Sequence, residues 1–288
     1  MRQPTAGRGM AEDLLIARGV VVAYGRASGL AMRRGPAPAP VLHGVDLRIG
    51  RGETLGIVGE SGSGKTTLGR ALLGLVKPVA GAIVFDGTDI AACDERAMRP
   101  LRRRMQMIFQ DPMSSLNPRH TIARILTGPV LLHGLAPHAA AALELVDEVL
   151  DRVGLPTQIV DRYPHELSGG QRQRVGIARA VVLRPDFVLA DEIVSGLDVS
   201  TQAQVLRILG ELTGAMHLAL AFISHDLSVI RSICDRVMVM QHGRVVEEGA
   251  CERVFAAPQA AHTRTLIDAI PLPVRDPGWL ARSGPEET

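Results

Sequence analysis

The chain alternates between short, wholly apolar runs and longer stretches whose apolar positions recur at helical spacing. Leu14 to Ala23 reads as one strand, and Leu42, Val45, Leu47 and Ile49 sit in a second. Thr54 to Val58 is a compact apolar run that stops at a glycine-rich loop, and Leu68 to Leu75 continues as a helix pattern. Residues 81–87 read as another strand and turn. Between about 112 and 165 the character changes. Val146, Val149, Leu150 and Val153 keep helical spacing, while Glu144, Asp147, Glu148 and Asp151 take the other face. Beyond this helical insert come a helix near 169–183, the strand Phe187 to Ala190, a helix near 200–213, the strand Leu218 to Ile223 and a helix near 226–233. The strands Val237 to Met240 and Val245 to Glu248 follow. Strands alternating with helices imply an α/β core with a largely parallel sheet covered on both faces. Residues 1–12 read as a polar tail and 25–40 as a loop. After 257, Pro258, Pro271, Pro273, Pro277 and Pro285 predict a segment that wraps or frays rather than forming a domain.

Composition narrows the partners. The 288 residues are 46% hydrophobic and 22% charged, values of an ordinary globular protein. A net charge of +2 gives no strong basic field, and aromatics at 3% leave little for base stacking, so nucleic acid is not an expected partner. No apolar run approaches the ~20 residues a membrane-spanning helix needs. Arg2 and Arg8 have no apolar run behind them, so no signal peptide is expected. Cys93, Cys234 and Cys251 are odd in number, lack metal-ligand spacing and read as reduced thiols.

Two segments carry chemistry. Gly59-Glu60-Ser61-Gly62-Ser63-Gly64-Lys65-Thr66, with Thr67 beside it, matches the G-x-x-x-x-G-K-[ST] phosphate loop in full, between an apolar strand and a helix. Its glycines let successive N–H groups turn toward phosphate oxygens, and the helix adds its positive end. Lys65 can then reach the β- and γ-phosphates of ATP, and the Thr66 hydroxyl can ligate Mg²⁺. The strand Phe187-Val188-Leu189-Ala190 ends in Asp191-Glu192. A buried strand that delivers an acid at its C-terminal edge places it where open α/β sheets bind ligands. Asp191 is the expected Mg²⁺ partner and Glu192 the group that orients or deprotonates the attacking water.

At Leu167-Ser168-Gly169-Gly170-Gln171 the sequence resembles the signature motif of the ABC ATPases, continued by Arg172-Gln173-Arg174 and the helix Val175 to Val182. The resemblance implies a P-loop ABC ATPase core with an antiparallel β subdomain and an α-helical signature subdomain. It also implies that Ser168, Gly169, Gly170 and Gln171 face the γ-phosphate of ATP held by a second ATPase subunit. Other positions match the family in order. Gln110 resembles the Q-loop glutamine near Mg²⁺ and the attacking water. Ser195-Gly196-Leu197-Asp198 resembles the D-loop that crosses the dimer interface. His225 resembles the switch histidine, and Tyr24 the aromatic that stacks on adenine.

Gly59-Glu60-Ser61-Gly62, Phe109-Gln110-Asp111-Pro112, Ser114 to Arg119 and Tyr163-Pro164-His165-Glu166-Leu167 look like the peptide/nickel import ATPases, as do Leu68-Gly69-Arg70 and His262 to Leu266 with Pro271. The resemblance covers about 14–272. It implies an ATPase domain over 12–257, with its helical subdomain at about 112–180, and a transporter-type tail over 258–288. The implied setting is peripheral, at the cytoplasmic face of the inner membrane. A homologous ATPase, identical or a sister, pairs with it beneath two integral-membrane permeases, and an extracytoplasmic solute-binding protein supplies cargo. Short peptides lead as cargo, with nickel and other small solutes as alternatives. An ATPase of a cytosolic phosphonate-degrading complex is a further alternative. The chain departs from the family at Ile193-Val194, where Pro-Thr is usual, and it has only Cys251 where some relatives carry a cysteine cluster, so no iron–sulfur centre is expected.

Overall fold

The computed structural model describes residues 12–24 and 39–269. The chain opens with β1 (Asp13–Ala23), β2 (Pro40–Gly50), β3 (Thr54–Val58), α1 (Lys65–Leu72), β4 (Ala80–Phe85) and β5 (Thr88–Asp89). Next come α2 (Glu95–Arg104), β6 (Met105–Ile108), α3 (Pro112–Ser115), α4 (Ile122–Leu132), α5 (Ala139–Arg152) and α6 (Gly169–Val181). The remainder is β7 (Phe187–Asp191), α7 (Val199–Met216), β8 (Ala219–Ile223), α8 (Leu227–Ile233), β9 (Arg236–Gln241), β10 (Arg244–Ala250), α9 (Cys251–Ala256) and α10 (Ala261–Asp268).

Two sheets organise these elements. Four antiparallel strands run in the order β2-β1-β4-β5, and six strands run in the order β10-β9-β3-β8-β7-β6. In the larger sheet β6, β7, β8, β3 and β9 are mutually parallel, and only β10 at the edge is antiparallel. The reason lies in the side chains. Along β7, Phe187 and Leu189 face the antiparallel sheet and α1, while Val188 and Ala190 face the helices on the other side. β8 splits the same way, with Leu220 and Phe222 opposite Ala219, Ala221 and Ile223. Strands covered on both faces need apolar residues at every position, which is why these runs are continuous rather than alternating. β2 instead buries Leu42, Val45, Leu47 and Ile49 and leaves the positions between them more open.

The helical insert forms as its spacing predicts. In α5, Val146 and Leu150 are fully buried, and Val153 at the helix cap continues the stripe. Thr121 caps α4 by accepting the Arg124 N–H, and His138 caps α5 by accepting that of Ala141. α2 and α10 are helices that the sequence reading did not name. α2 buries only Met98 and contains Pro100, so it has no apolar stripe to betray it; Asp94 caps it by accepting the Ala97 N–H at 2.8 Å. α10 lies in the segment expected to wrap or fray. Its N-terminus is held from β10, where the Glu247 carboxylate accepts the Gln259 N–H at 2.8 Å and the Ala260 N–H at 3.0 Å. The prolines from Pro271 onward lie outside the described residues. Among the described residues no helix is long and apolar enough to cross a membrane.

Glu247 therefore anchors a helix 13 residues further along the chain. Burial pushes its carboxyl up, but the nearby Thr263 hydroxyl and the bonds from the Gln259 and Ala260 amides outweigh this and hold it below the usual glutamate value. A carboxyl depressed on folding contributes stability above its unfolded pKa and loses it as the pH falls through the depressed value. Acidification through that range is expected to release α10, and Glu247→Ala to do so at neutral pH at a local cost of about 1 kcal/mol. Hydrogen exchange at the Gln259 and Ala260 amides reads both; unchanged protection in Glu247→Ala contradicts the anchor.

Candidate active site

Three parallel strands end at one edge and deliver the candidate residues together. At the end of β3 the chain turns sharply through the glycine-rich loop. Gly59 adopts φ +148°, and a Cβ there would lie 2.2 Å from the Met240 carbonyl at the end of β9, so only glycine fits. Gly64, at φ 100°, starts α1 from the left-handed region. The loop is braced from outside: the Gly243 N–H, in the tight turn between β9 and β10, donates to the Ser63 carbonyl at 3.0 Å. Sequence reasoning passed over this brace, although a glycine at the second position of a two-residue loop between strands fits a hairpin turn, here with His242 and Gly243 both at positive φ.

Lys65 is the first residue of α1 and only 6% exposed. Its ammonium folds over the loop and donates to the Gly59 carbonyl at 2.7 Å, the Glu60 carbonyl at 2.8 Å and the Ser63 hydroxyl at 3.5 Å. Burial pulls its pKa down, and the charges of Glu192 and Asp191 act in the opposite direction. A buried cation held by neutral oxygens is poised for an anion. Next to it, the Thr66 hydroxyl donates to Asp191 Oδ1 at 3.2 Å, tying the loop to the end of β7. Burial raises the Asp191 pKa, the Thr66 bond opposes the rise and the Glu192 charge adds to it. Thr66 and Asp191 thus present two hard oxygens side by side, the ligand type a small divalent cation prefers.

Glu192 leaves the strand with φ 49°, unusual for a residue with a Cβ, and its N–H donates to the Ile223 carbonyl at 3.0 Å. That conformation turns its carboxylate away from the path of β7. One oxygen accepts from Gln110 Nε2 at 3.2 Å, just beyond β6; the other lies 3.8 Å from His225 Nδ1, just beyond β8. Glu192, Gln202, Ser224, His225 and Asp226 line a cavity of about 130 Å³. A wider hollow of about 680 Å³ lies elsewhere, lined by Arg18, Asp46, Arg48 and Arg236 with Glu248. Its charges include the Arg236–Glu248 pair, so the convergent chemistry belongs to the strand ends.

The structure gathers Lys65, Thr66, Asp191, Glu192, Gln110 and His225 into this one edge, and it sets Tyr24 nearby, its hydroxyl donating to Thr67 Oγ1 at 3.3 Å. The signature residues form a separate turn. Ser168 caps α6 by accepting the Gln171 N–H at 3.2 Å, and the Gln171 side chain accepts the Ser168 N–H at 3.0 Å. This reciprocal capping box leaves the N-terminus of α6 well formed. Gly170 packs on Thr201, where a Cβ would approach to 3.1 Å. Among the described residues no hydrogen bond joins this turn to the phosphate loop. Asp198 has a local task that the sequence reading missed: it caps α7, accepting the Thr201 N–H at 2.9 Å and the Ser200 and Thr201 hydroxyls at 2.5 and 2.7 Å. Those bonds hold its carboxyl well below the usual aspartate value. Ile193 and Val194 are both buried, so apolar packing fixes the start of the loop that leads to Asp198.

Gly59→Ala is expected to destabilise the protein by about 2 kcal/mol or more, because the new Cβ meets backbone that cannot yield. Thermal unfolding measures it; an unshifted midpoint contradicts the packing described for this loop.

The family model described as ABC transporter matches residues 42–195. The chain is similar to a peptide import ATP-binding protein of Brucella ovis, 52% identical over 240 residues that make up 83% of this chain and 75% of the relative. It is also similar to the oligopeptide transport ATP-binding protein OppF of Escherichia coli, 45% identical over 241 residues, 84% of this chain and 72% of the relative. Among solved structures it resembles cbiO1 of Clostridium perfringens, part of the ABC transporter complex cbiONQ, with a TM-score of 0.74 and 29% identity over 85% of this chain and 92% of that one. It resembles the dimeric ATP-binding cassette MJ0796 in a post-hydrolysis state bound to ADP and Pi, with a TM-score of 0.72 and 27% identity over 82% of this chain and 98% of that one. With fold, motif order and relatives in agreement, the chain belongs to the ABC transporter family as an ATPase subunit.

Proposed function

We propose that this subunit binds and hydrolyses ATP at the edge formed by β3, β7 and β8, as one half of a dimer that powers import of di- or oligopeptides. The observation that carries the reading is the convergence of Lys65, the Thr66–Asp191 pair and the Gln110–Glu192–His225 cluster on aligned strand ends. On this reading residues 12–257 are the ATPase domain, 112–180 its helical part, and 258–288 an appended tail.

Each residue has a physical task. The loop amides and the N-terminus of α1 receive phosphate oxygens, with Glu60, Ser61, Gly62, Ser63, Gly64 and Thr67 shaping the cradle. Lys65 exchanges its carbonyl contacts for β- and γ-phosphate oxygens, and that anionic partner favours its charged form. The Thr66 hydroxyl and the Asp191 carboxylate would hold Mg²⁺, with Gln110 beside them. Bound there, the ion supplies charge neutralisation on the phosphate oxygens. Tyr24 offers its exposed ring to the adenine. Glu192 orients a water and takes its proton as the water oxygen bonds to the γ-phosphorus, while the bond to the bridging oxygen breaks and ADP leaves with the electron pair. Gln110 holds one carboxylate oxygen of Glu192, and His225 stands 3.8 Å from the other, within reach of it once the site closes on ATP, so the base is kept in place for attack.

Ser168 and the N–H groups that open α6 supply a second phosphate surface. Since that turn bonds within itself, the reading assigns it to ATP held by a homologous partner subunit, with Asp198 and the buried Ile193-Val194 loop nearby. The dimeric cassettes among its structural neighbours support this, as does the peptide import named for its relatives. The reading also places the dimer on the cytoplasmic face of the inner membrane, under two permeases fed by a solute-binding protein.

Glu192→Gln is expected to bind ATP, accumulate as an ATP-bound dimer and lose at least 100-fold in turnover, in line with the roughly 10²–10⁴-fold that general bases contribute. Near-normal hydrolysis overturns the assignment of the base. For the transport role, tagged protein drawn from detergent-solubilised native membranes should bring two integral-membrane proteins with it; recovery of soluble enzymes alone moves the subunit to a cytosolic complex.

A further inference from the structure

Gln110 sits on a short segment between β6 and α3, and something must hold that segment if the 3.2 Å contact with Glu192 is to be maintained. The residues on either side of Gln110 meet the same side chain. Phe109, immediately before it, lies with its ring under the Arg179 guanidinium, 5.5 Å from the ring centroid. Ser115, five residues after it, offers its carbonyl to Arg179 Nη1 in a short hydrogen bond. Arg179 stands near the end of α6, the helix that Ser168 opens. Its surroundings are unfavourable to charge, since burial lowers its pKa, yet a guanidinium stays protonated. A cation kept in such a place is compensated by directional contacts, and the two described go to Phe109 just before Gln110 and to Ser115 at the end of α3 just after it. They also account for a large aromatic side chain, Phe109, that remains 41% exposed: its face serves the guanidinium.

We infer that Arg179 is a positioning residue for ATP hydrolysis, clamping the segment around Gln110 from both ends so that the Gln110 amide stays on the Glu192 carboxylate. The inference rests on the role proposed above for Gln110. It adds a mechanical link, because the clamp belongs to the helix whose first residues carry the signature turn. Any shift of α6 is then felt at Glu192 through Arg179, Phe109 and Gln110. An arginine is required for this: a lysine ammonium can satisfy the Ser115 carbonyl or sit over the ring, but it lacks the planar fork that does both.

The test is a double-mutant cycle on the full-length protein, with steady-state ATPase rates, ATP affinity and thermal unfolding measured for each variant. Arg179→Met keeps the apolar stem and removes the charge. It is expected to lower kcat by about tenfold or more with KM for ATP unchanged, since a misplacement on the order of 1 Å at a catalytic group can cost about 100-fold. Phe109→Leu, at an exposed position, removes only the ring face and is expected to lower kcat in the same direction by less. It carries the test should Arg179→Met fail to fold. In a Gln110→Ala background both substitutions should cost almost nothing further, because the residue they act through is gone. If each lowers kcat by the same factor in both backgrounds, or if KM rises with kcat unchanged, Arg179 is only structural and the inference is overturned. If Gln110→Ala itself leaves kcat intact while Arg179→Met lowers it, the proposed role of Gln110 fails, and with it the claim that Arg179 acts through Gln110.

Discussion

Burial on both faces of the central parallel strands forces their charge to the ends. Between Phe187 and Ala190 no position in β7 reaches water, and the carboxylates come only at the strand end, where buried Asp191 is bonded to the Thr66 hydroxyl and Glu192 turns out of the strand. The same rule ends β3 at the phosphate loop and β8 at Ser224-His225. Because β3, β7 and β8 are parallel neighbours, the three ends coincide. The rest of the site follows from that coincidence. Thr66 meets Asp191, Glu192 meets His225, and β6 on the far side brings Gln110 within reach.

Opposing electrostatic demands at this edge suit the ligands proposed for it. Lys65 is driven toward neutrality by burial, while the neighbouring carboxylates favour its charge. Asp191 is driven toward protonation by burial, and the Thr66 hydroxyl opposes it. Neither charge is compensated as fully as it would be in water. A phosphate beside the ammonium and a divalent cation beside the carboxylate satisfy both at once. That is a more specific requirement than either residue imposes alone. The left-handed backbone of Glu192 is part of the same arrangement: it directs the carboxylate out of the strand toward Gln110 and His225.

Local patterns made much of this readable in the sequence. A phosphate loop needs consecutive residues, buried strands need unbroken apolar runs, and the acids must follow at once. What the sequence concealed was held by distant contacts or lacked an apolar stripe. α10 has no cap of its own, because Glu247 caps it from β10. α2 buries one side chain and carries a proline, so periodicity is silent there. Asp198 and Gln171 stood out as motif residues, yet their helix-capping bonds to Thr201 and Ser168 emerge only in three dimensions. The clamp of Arg179 on Phe109 and Ser115 spans 64 residues between donor and acceptor, beyond any pattern along the chain.

The central claim is that two strand ends, joined at Thr66 and Asp191, assemble one site for ATP with its metal. Calorimetric titration of ATP with and without Mg²⁺, into the unaltered protein and into Asp191→Asn, tests it most directly. The account predicts that Mg²⁺ strengthens ATP binding to the unaltered protein and that this gain disappears in Asp191→Asn, while binding of metal-free ATP is retained. A full Mg²⁺-dependent gain in Asp191→Asn would contradict it.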